Sequence, residues 1–207
     1  MAKYLEHFMS YRCAADIIGI VGPMKHFEKE ISEAVAIEKE VRNFSYGEIK
    51  DYTVIDLCSG NALVPLMTAF MLPVQESIAI DIRPRGRDYG KARKFSYLNL
   101  NIHDDDMDIF KGRKVILTAC HACKELAKRI IDLYNRTEEI KYLVLSPCCI
   151  GTVESYGYPE VVRDKLGKYL TWAHFLYNQV EGSKSLKVNK NILSPCNAII
   201  TAAKEGK

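Results

Sequence analysis

From Tyr52 onward the chain carries five short runs that are apolar at nearly every position: YTVIDL (52–57), SIAIDI (77–82), FSYLNL (95–100), KVILTA (114–119) and YLVLS (142–146). Continuous apolarity, rather than strict alternation, is how strands read when both faces of their sheet are covered, the normal state of a parallel sheet. Helical segments at Ala62 to Leu72 and Lys124 to Asn135 fall between these runs. Strand and helix alternating at this spacing predict a right-handed parallel α/β arrangement. A helix is expected near Val161 to Gln179, then strands at Leu186 to Asn189 and Asn197 to Ala203. A turn containing Ser194-Pro195 would fold those last two strands into an antiparallel edge pair, giving a mostly parallel sheet of seven strands.

Before residue 51 the pattern is helical. The stretch from Met24 to Phe44 is rich in Glu, Lys and Ala, and Phe27, Ile31, Val35 and Val41 supply its apolar stripe. Gly22-Pro23 separates it from an earlier helix around Glu6 to Ile20. The expected organisation is a helical extension over residues 1–50 and an α/β domain over 51–207. With 207 residues, 48% hydrophobic and 27% charged, the chain has the makings of one core. A net charge of +3 is too small for a dedicated nucleic-acid coat, so any nucleic-acid contact must come from a local basic patch. Seven cysteines, odd in number and without framework spacing, fit a reducing compartment. The N-terminus lacks a secretory pattern and no apolar run is long enough for a membrane span, so the sequence predicts a cytoplasmic protein away from membranes.

In an open α/β sheet ligands bind beyond the carboxyl ends of the strands, so the residues following each strand carry the functional information. The first such turn runs from Asp56 through Leu57, Cys58, Ser59, Gly60 and Asn61 to Ala62. Its small residues allow close approach of a ligand to the backbone, and the next helix offers its N-terminal amides. Cys58 and Leu63 stand where a dinucleotide fingerprint needs glycine, which argues against a nicotinamide enzyme. Asp81 ends the second strand, where a carboxylate can accept both hydroxyls of an adenosine ribose. His103-Asp104-Asp105-Asp106 follows the third strand and could cover an adenine edge. Each feature alone also fits a turn or a solvated loop; in this order on successive strand ends they favour an adenosine-containing cofactor.

The stretch Val54-Ile55-Asp56-Leu57-Cys58-Ser59-Gly60-Asn61 resembles the first motif of Rossmann-like S-adenosylmethionine-dependent methyltransferases, in the branch that reads D-x-C-S-G-G. Cys120-His121-Ala122-Cys123-Lys124 and Pro147-Cys148-Cys149 resemble the H-x-C-G and P-C-C signatures of methyltransferases related to the glutathione S-transferase C-terminal-domain-containing proteins and, more distantly, of tRNA 2′-O-methyltransferases. The likeness covers Tyr52 to Gly151. Asn61 replaces the second glycine of the first motif, and Lys124 replaces the glycine after Cys123. The resemblance implies S-adenosylmethionine as cofactor, held by Asp56, Cys58, Ser59, Gly60, Asn61, Asp81, Ile82, Asp104 and Ala119. It also implies a role for His121 in orienting or deprotonating the methyl acceptor.

If the fourth and fifth strands are neighbours, Cys120, His121, Cys123, Cys148 and Cys149 converge at one end of the sheet. Zinc binding, thiol redox chemistry and plain packing of small side chains are all compatible with that set, although adjacent Cys148 and Cys149 are an awkward pair for one ion. Packing is the default, with no metal assigned. The loop from Arg83 to Lys94 holds six cations, one anion and Tyr89. Arg83, Arg85 and Arg87 suit phosphate and Tyr89 suits stacking on a base, so RNA, with tRNA favoured, is the leading acceptor class. A small molecule, a protein side chain or a non-catalytic binding role are the alternatives.

Overall fold

The computed structural model describes residues 3–44, 49–104, 108–151 and 157–204. Helices α1 (Lys3–Met9), α2 (Ala14–Val21) and α3 (Phe27–Phe44) precede strand β1 (Tyr52–Leu57). Then come α4 (Leu63–Met71), β2 (Glu76–Asp81), β3 (Phe95–Asn99), β4 (Lys114–Ala122), α5 (Glu125–Arg136), β5 (Ile140–Pro147), α6 (Glu160–Gln179), β6 (Ser183–Val188) and β7 (Ala198–Ala203). They form one seven-stranded sheet in the order β3-β2-β1-β4-β5-β7-β6, in which β7 alone runs antiparallel to its neighbours. The expected α/β sheet with an antiparallel edge pair is what the chain adopts. The single helix expected from Glu6 to Ile20 is two, broken at residues 10–13.

Period-two alternation sorts the strand residues into two cores. Val54, Ala79, Ile116, Val144 and Ile199 face α1 to α4. Ile55, Leu57, Ile80, Leu117, Ala119, Leu145 and Ile200 face α5 and α6. Asp56 and Cys120 therefore belong to the α3 side of the sheet, and Ala119 to the opposite side. In α5, Ala127, Ile130, Ile131 and Tyr134 repeat at three- and four-residue steps and bury one stripe. The middle of α3 is different: every residue from Ile31 to Glu38 is buried, because this helix lies on the sheet with α1 and α4 against its flanks. The backbone N–H of Leu193 donates to Ser32 Oγ at 3.0 Å, and Lys187 pairs with Glu40 at 3.3 Å, tying α3 to the C-terminal strand pair.

The parallel part of the sheet reverses its order between β1 and β4, where the connections to β2 and to β4 lead to opposite sides of β1. No helix among the described residues is long and apolar enough to cross a membrane.

Candidate active site

At that reversal the carboxyl ends of β1, β2 and β4 open into a crevice of about 570 Å³. Two strained turns shape it. Cys58 and Ala62 after β1, and His121 and Lys124 at the end of β4, all hold positive φ. Such backbone costs about 1–3 kcal/mol per residue and persists only where the surrounding structure enforces it. Gly60 (φ 53°) lies between the first two, and a Cβ built there meets no atom within 4 Å, so any side chain would project into open space. Asn61, in place of the second glycine, keeps negative φ, and the turn has no need of glycine at that position. Its amide is used instead: Nδ2 donates to Glu30 Oε2 at 2.6 Å, and Oδ1 accepts from Arg87 Nη2 at 2.7 Å.

Two carboxylates face the crevice from adjacent strands and have opposite character. Asp56 is buried, accepts from Thr118 Oγ1 at 2.7 Å, and is pushed up to about 7. Burial raises it, the hydroxyls of Ser59 and Thr118 oppose the rise, and the charge of Asp81 adds to it. At Asp81 burial also pulls upward, but the N–H groups of Arg83 and Gly60 and the Arg83 guanidinium outweigh it, and the group stays below the usual carboxylate range. Gly60 N donates to Oδ2 and Arg83 N to Oδ1, each at 2.9 Å, with Arg83 Nε at 3.3 Å. From β3, Asn99 Nδ2 holds the carbonyls of Asp81 and Ile82 at 3.0 and 2.6 Å, fixing the loop that follows.

On the opposite wall His121 Nε2 is hydrogen-bonded to Glu33 Oε2, which α3 delivers. Glu33 is 1% exposed. Its other oxygen has no hydrogen-bond donor, and Lys29 Nζ stands 3.9 Å away. Cys120 lines the crevice beside this pair, its thiol raised well above the ordinary range, first by burial and then by the Glu33 charge. Cys58 is pushed up to about 12 by burial and by the nearby Asp81 and Asp56, which leaves it protonated.

Of the residues expected from sequence, Asp56, Cys58, Ser59, Gly60, Asn61, Asp81, Ile82, His121, Arg83 and Arg85 line the crevice. Ala119 does not: its side chain is on the α5 face and fully buried. Asp104 is exposed and accepts from Asn101 Nδ2 at 3.3 Å, outside the crevice; Asp105 and Asp106 lie outside the described residues. Asn101, Ile102 and His103 line the wall where the acidic run was expected. The basic loop is less free than its composition implies. Arg87 is bound to Asn61, Lys91 pairs with Asp16 at 3.5 Å, and Lys94 donates to the Val74 carbonyl at 2.9 Å. Tyr89 is not offered to a base, because its ring stacks on Tyr97 at 5.6 Å and packs against Phe95 at 4.8 Å. Glu30 and Glu33 line the site without having been singled out from sequence.

The cysteine and histidine set converges on the ends of β4 and β5 but divides in two. Cys120 and His121 sit with Glu33, while Cys123 joins Cys148 and Cys149. A register shift between Cys120 and Ala122 marks a bulge at His121, which separates the two groups.

Residues 27–155 match the protein family described as "Methyltransferase domain", a span that begins at α3 and ends beyond β5. A glutathione S-transferase C-terminal domain-containing protein of Xenopus laevis is 27% identical over 105 residues, 50% of this chain but only 17% of that protein's length. Two solved structures of the methyltransferase domain of bacterial CtHen1 share the fold. One has a TM-score of 0.52 at 10% identity, covering 84% of this chain and 98% of the other. The second has a TM-score of 0.50 at 11% identity, covering 87% and 99%. The family match takes in α3, both strained turns, Asp56, Asp81 and the His121 wall, and the chain belongs to the methyltransferase-domain family.

Proposed function

We propose that the crevice holds S-adenosylmethionine between Asp56, Gly60 and Asp81, and presents its methyl group to an RNA acceptor aligned by His121. The supporting observation is the pairing of an ionised carboxylate with an open glycine turn on one wall and a carboxylate-anchored imidazole on the other. An ionised carboxylate has about four lone-pair positions, so Asp81 retains room for two ribose hydroxyls after accepting from Gly60 and Arg83. When bound, the cofactor supplies a methyl group already activated on a sulfonium. The protein's task is then mainly alignment. Glu33 fixes the His121 ring through Nε2, which leaves Nδ1 as the ring nitrogen to serve an acceptor hydroxyl or amine. Ile82 and Leu100, both exposed and both lining the crevice, supply apolar surface for a planar ring.

RNA is the acceptor class favoured by Arg85 and by the part of the Arg83 guanidinium that its Asp81 contact leaves exposed, both lining the crevice itself. The other cations of the loop that are tied to Asn61, Asp16 and Val74 are not counted toward it. Two measurements separate the cofactor reading from the acceptor reading. Calorimetry with S-adenosylmethionine should show binding to the wild type, weakened about 10- to 100-fold in Asp81→Asn, the loss expected for hydrogen bonds to a charged group. Absence of binding in the wild type would overturn the cofactor site. Methyl incorporation into a mixed tRNA pool should fall in Arg85→Ala through a raised KM and steeper salt sensitivity, with cofactor affinity kept. Turnover that ignores both the substitution and the salt would remove RNA and leave the cofactor reading standing.

A further inference from the structure

At the edge of the crevice, which Cys123 lines, three sulfurs crowd together that the proposed methyl transfer does not use. Cys123 Sγ lies 2.7 Å from Cys148 Sγ and 3.2 Å from Cys149 Sγ, and the last two are 3.6 Å apart. They come from neighbouring strands, Cys123 just after β4 and the Cys148-Cys149 pair just after β5. The bulge at His121 and the positive φ of His121 and Lys124 turn the end of β4 so that Cys123 meets the other two. The Cys123 and Cys148 thiols also converge on one acceptor, the His121 carbonyl, at 3.3 and 3.4 Å. Adjacent cysteines seemed ill-suited to share an ion, yet this turn sets both sulfurs of the pair against Cys123.

We infer that Cys123, Cys148 and Cys149 form a three-thiolate site for a soft divalent ion of the zinc class. With metal–sulfur bonds near 2.3 Å, tetrahedral geometry puts ligand sulfurs about 3.8 Å apart. Two of the three separations are within roughly half an ångström of that, and the Cys123–Cys148 pair opens by about 1 Å through side-chain torsion. A disulfide would employ two sulfurs and give no reason for the third. Binding displaces the remaining thiol protons to solvent, forms three metal–sulfur bonds, involves no change of oxidation state and leaves a fourth corner to water. The ion would pin the ends of β4 and β5 together and hold the backbone of His121, two residues before Cys123.

The test uses the full chain, reduced, purified without a metal-affinity step and stripped of bound metal with a chelator that is then removed, and titrates cobalt(II) while following thiolate-to-cobalt charge-transfer absorption. One equivalent should bind the wild type, zinc should bleach the band, and affinity should drop as pH is lowered. Cys148→Ser and Cys149→Ser should each weaken the band and the double variant abolish it, while Cys13→Ser, remote from the cluster, should keep it. Circular dichroism on every variant separates loss of the site from loss of the fold. No charge-transfer band in the reduced wild type, or a full band in the folded double variant, overturns the assignment. So does a Cys123–Cys148 disulfide that persists under reductant.

Discussion

Lys124→Gly should make this protein more stable, against the usual direction of a glycine substitution at the head of a helix. Lys124 precedes α5 at φ 50° and ψ −118°, a region that side chains with a Cβ rarely enter. Strain of this kind costs about 1–3 kcal/mol. Glycine relieves it but brings roughly 0.5–1 kcal/mol of extra chain entropy lost on folding. Because the Lys124 side chain is exposed, its removal gives up little packing. The balance is a gain of about 0.5–2 kcal/mol, or roughly 1–8 °C in Tm for a chain of this size. Urea unfolding with a chelator present should show a higher midpoint at an unchanged slope. Lys124→Ala keeps the Cβ and should stay within about 0.5 kcal/mol of wild type. If glycine and alanine behave alike, the lysine is not strained and the account of this turn is wrong.

Two further outcomes follow from the walls of the crevice. Asp56, held at about 7 in the folded protein against about 3.9 when unfolded, keeps its proton between those values only in the native state. Stability should therefore fall as pH rises from about 4 to 7, by up to about 1.4 kcal/mol per unit, and level off above. The difference between wild type and Asp56→Asn, read by urea titration across pH 4.5 to 8, should carry that slope, and a flat difference refutes it. Asn61→Ala cuts both the Glu30 and the Arg87 hydrogen bonds, so a loss of about 1–3 kcal/mol is expected in thermal unfolding, with a weaker cofactor site. An unchanged Tm would mean that the amide does not join α3 to the basic loop.

Much of this architecture is legible in the residues because both faces of the sheet are covered, and the strand runs β1, β2 and β4 announce themselves as continuous apolar segments. The crevice is legible on the side made by strand ends, where Asp56, Gly60 and Asp81 occur in a fixed order. Its other wall is not. Glu33 comes from a helix whose stripe of Phe27, Ile31, Val35 and Val41 makes its glutamates look solvated. The signal was the run from Ile31 to Ile37, too apolar for a helix with a free face, which forces Glu33 within it and Glu38 beside it inward. Tyr89 misled for a related reason: an aromatic ring in a basic loop reads as a base platform, while here it finds Phe95 and Tyr97 and joins the core. Composition of a loop says what it could touch and not which of its members the fold has already engaged.

The seating of α3 also ties the His121 wall to distant parts of the chain. Glu33 is carried by a helix translated early, yet that helix is fastened through Ser32 to Leu193, 161 residues later, and rests on β4, β5 and β7. Contacts so distant along the chain form late and slow folding. The position of Glu33 against His121 thus draws on residues far apart along the described chain.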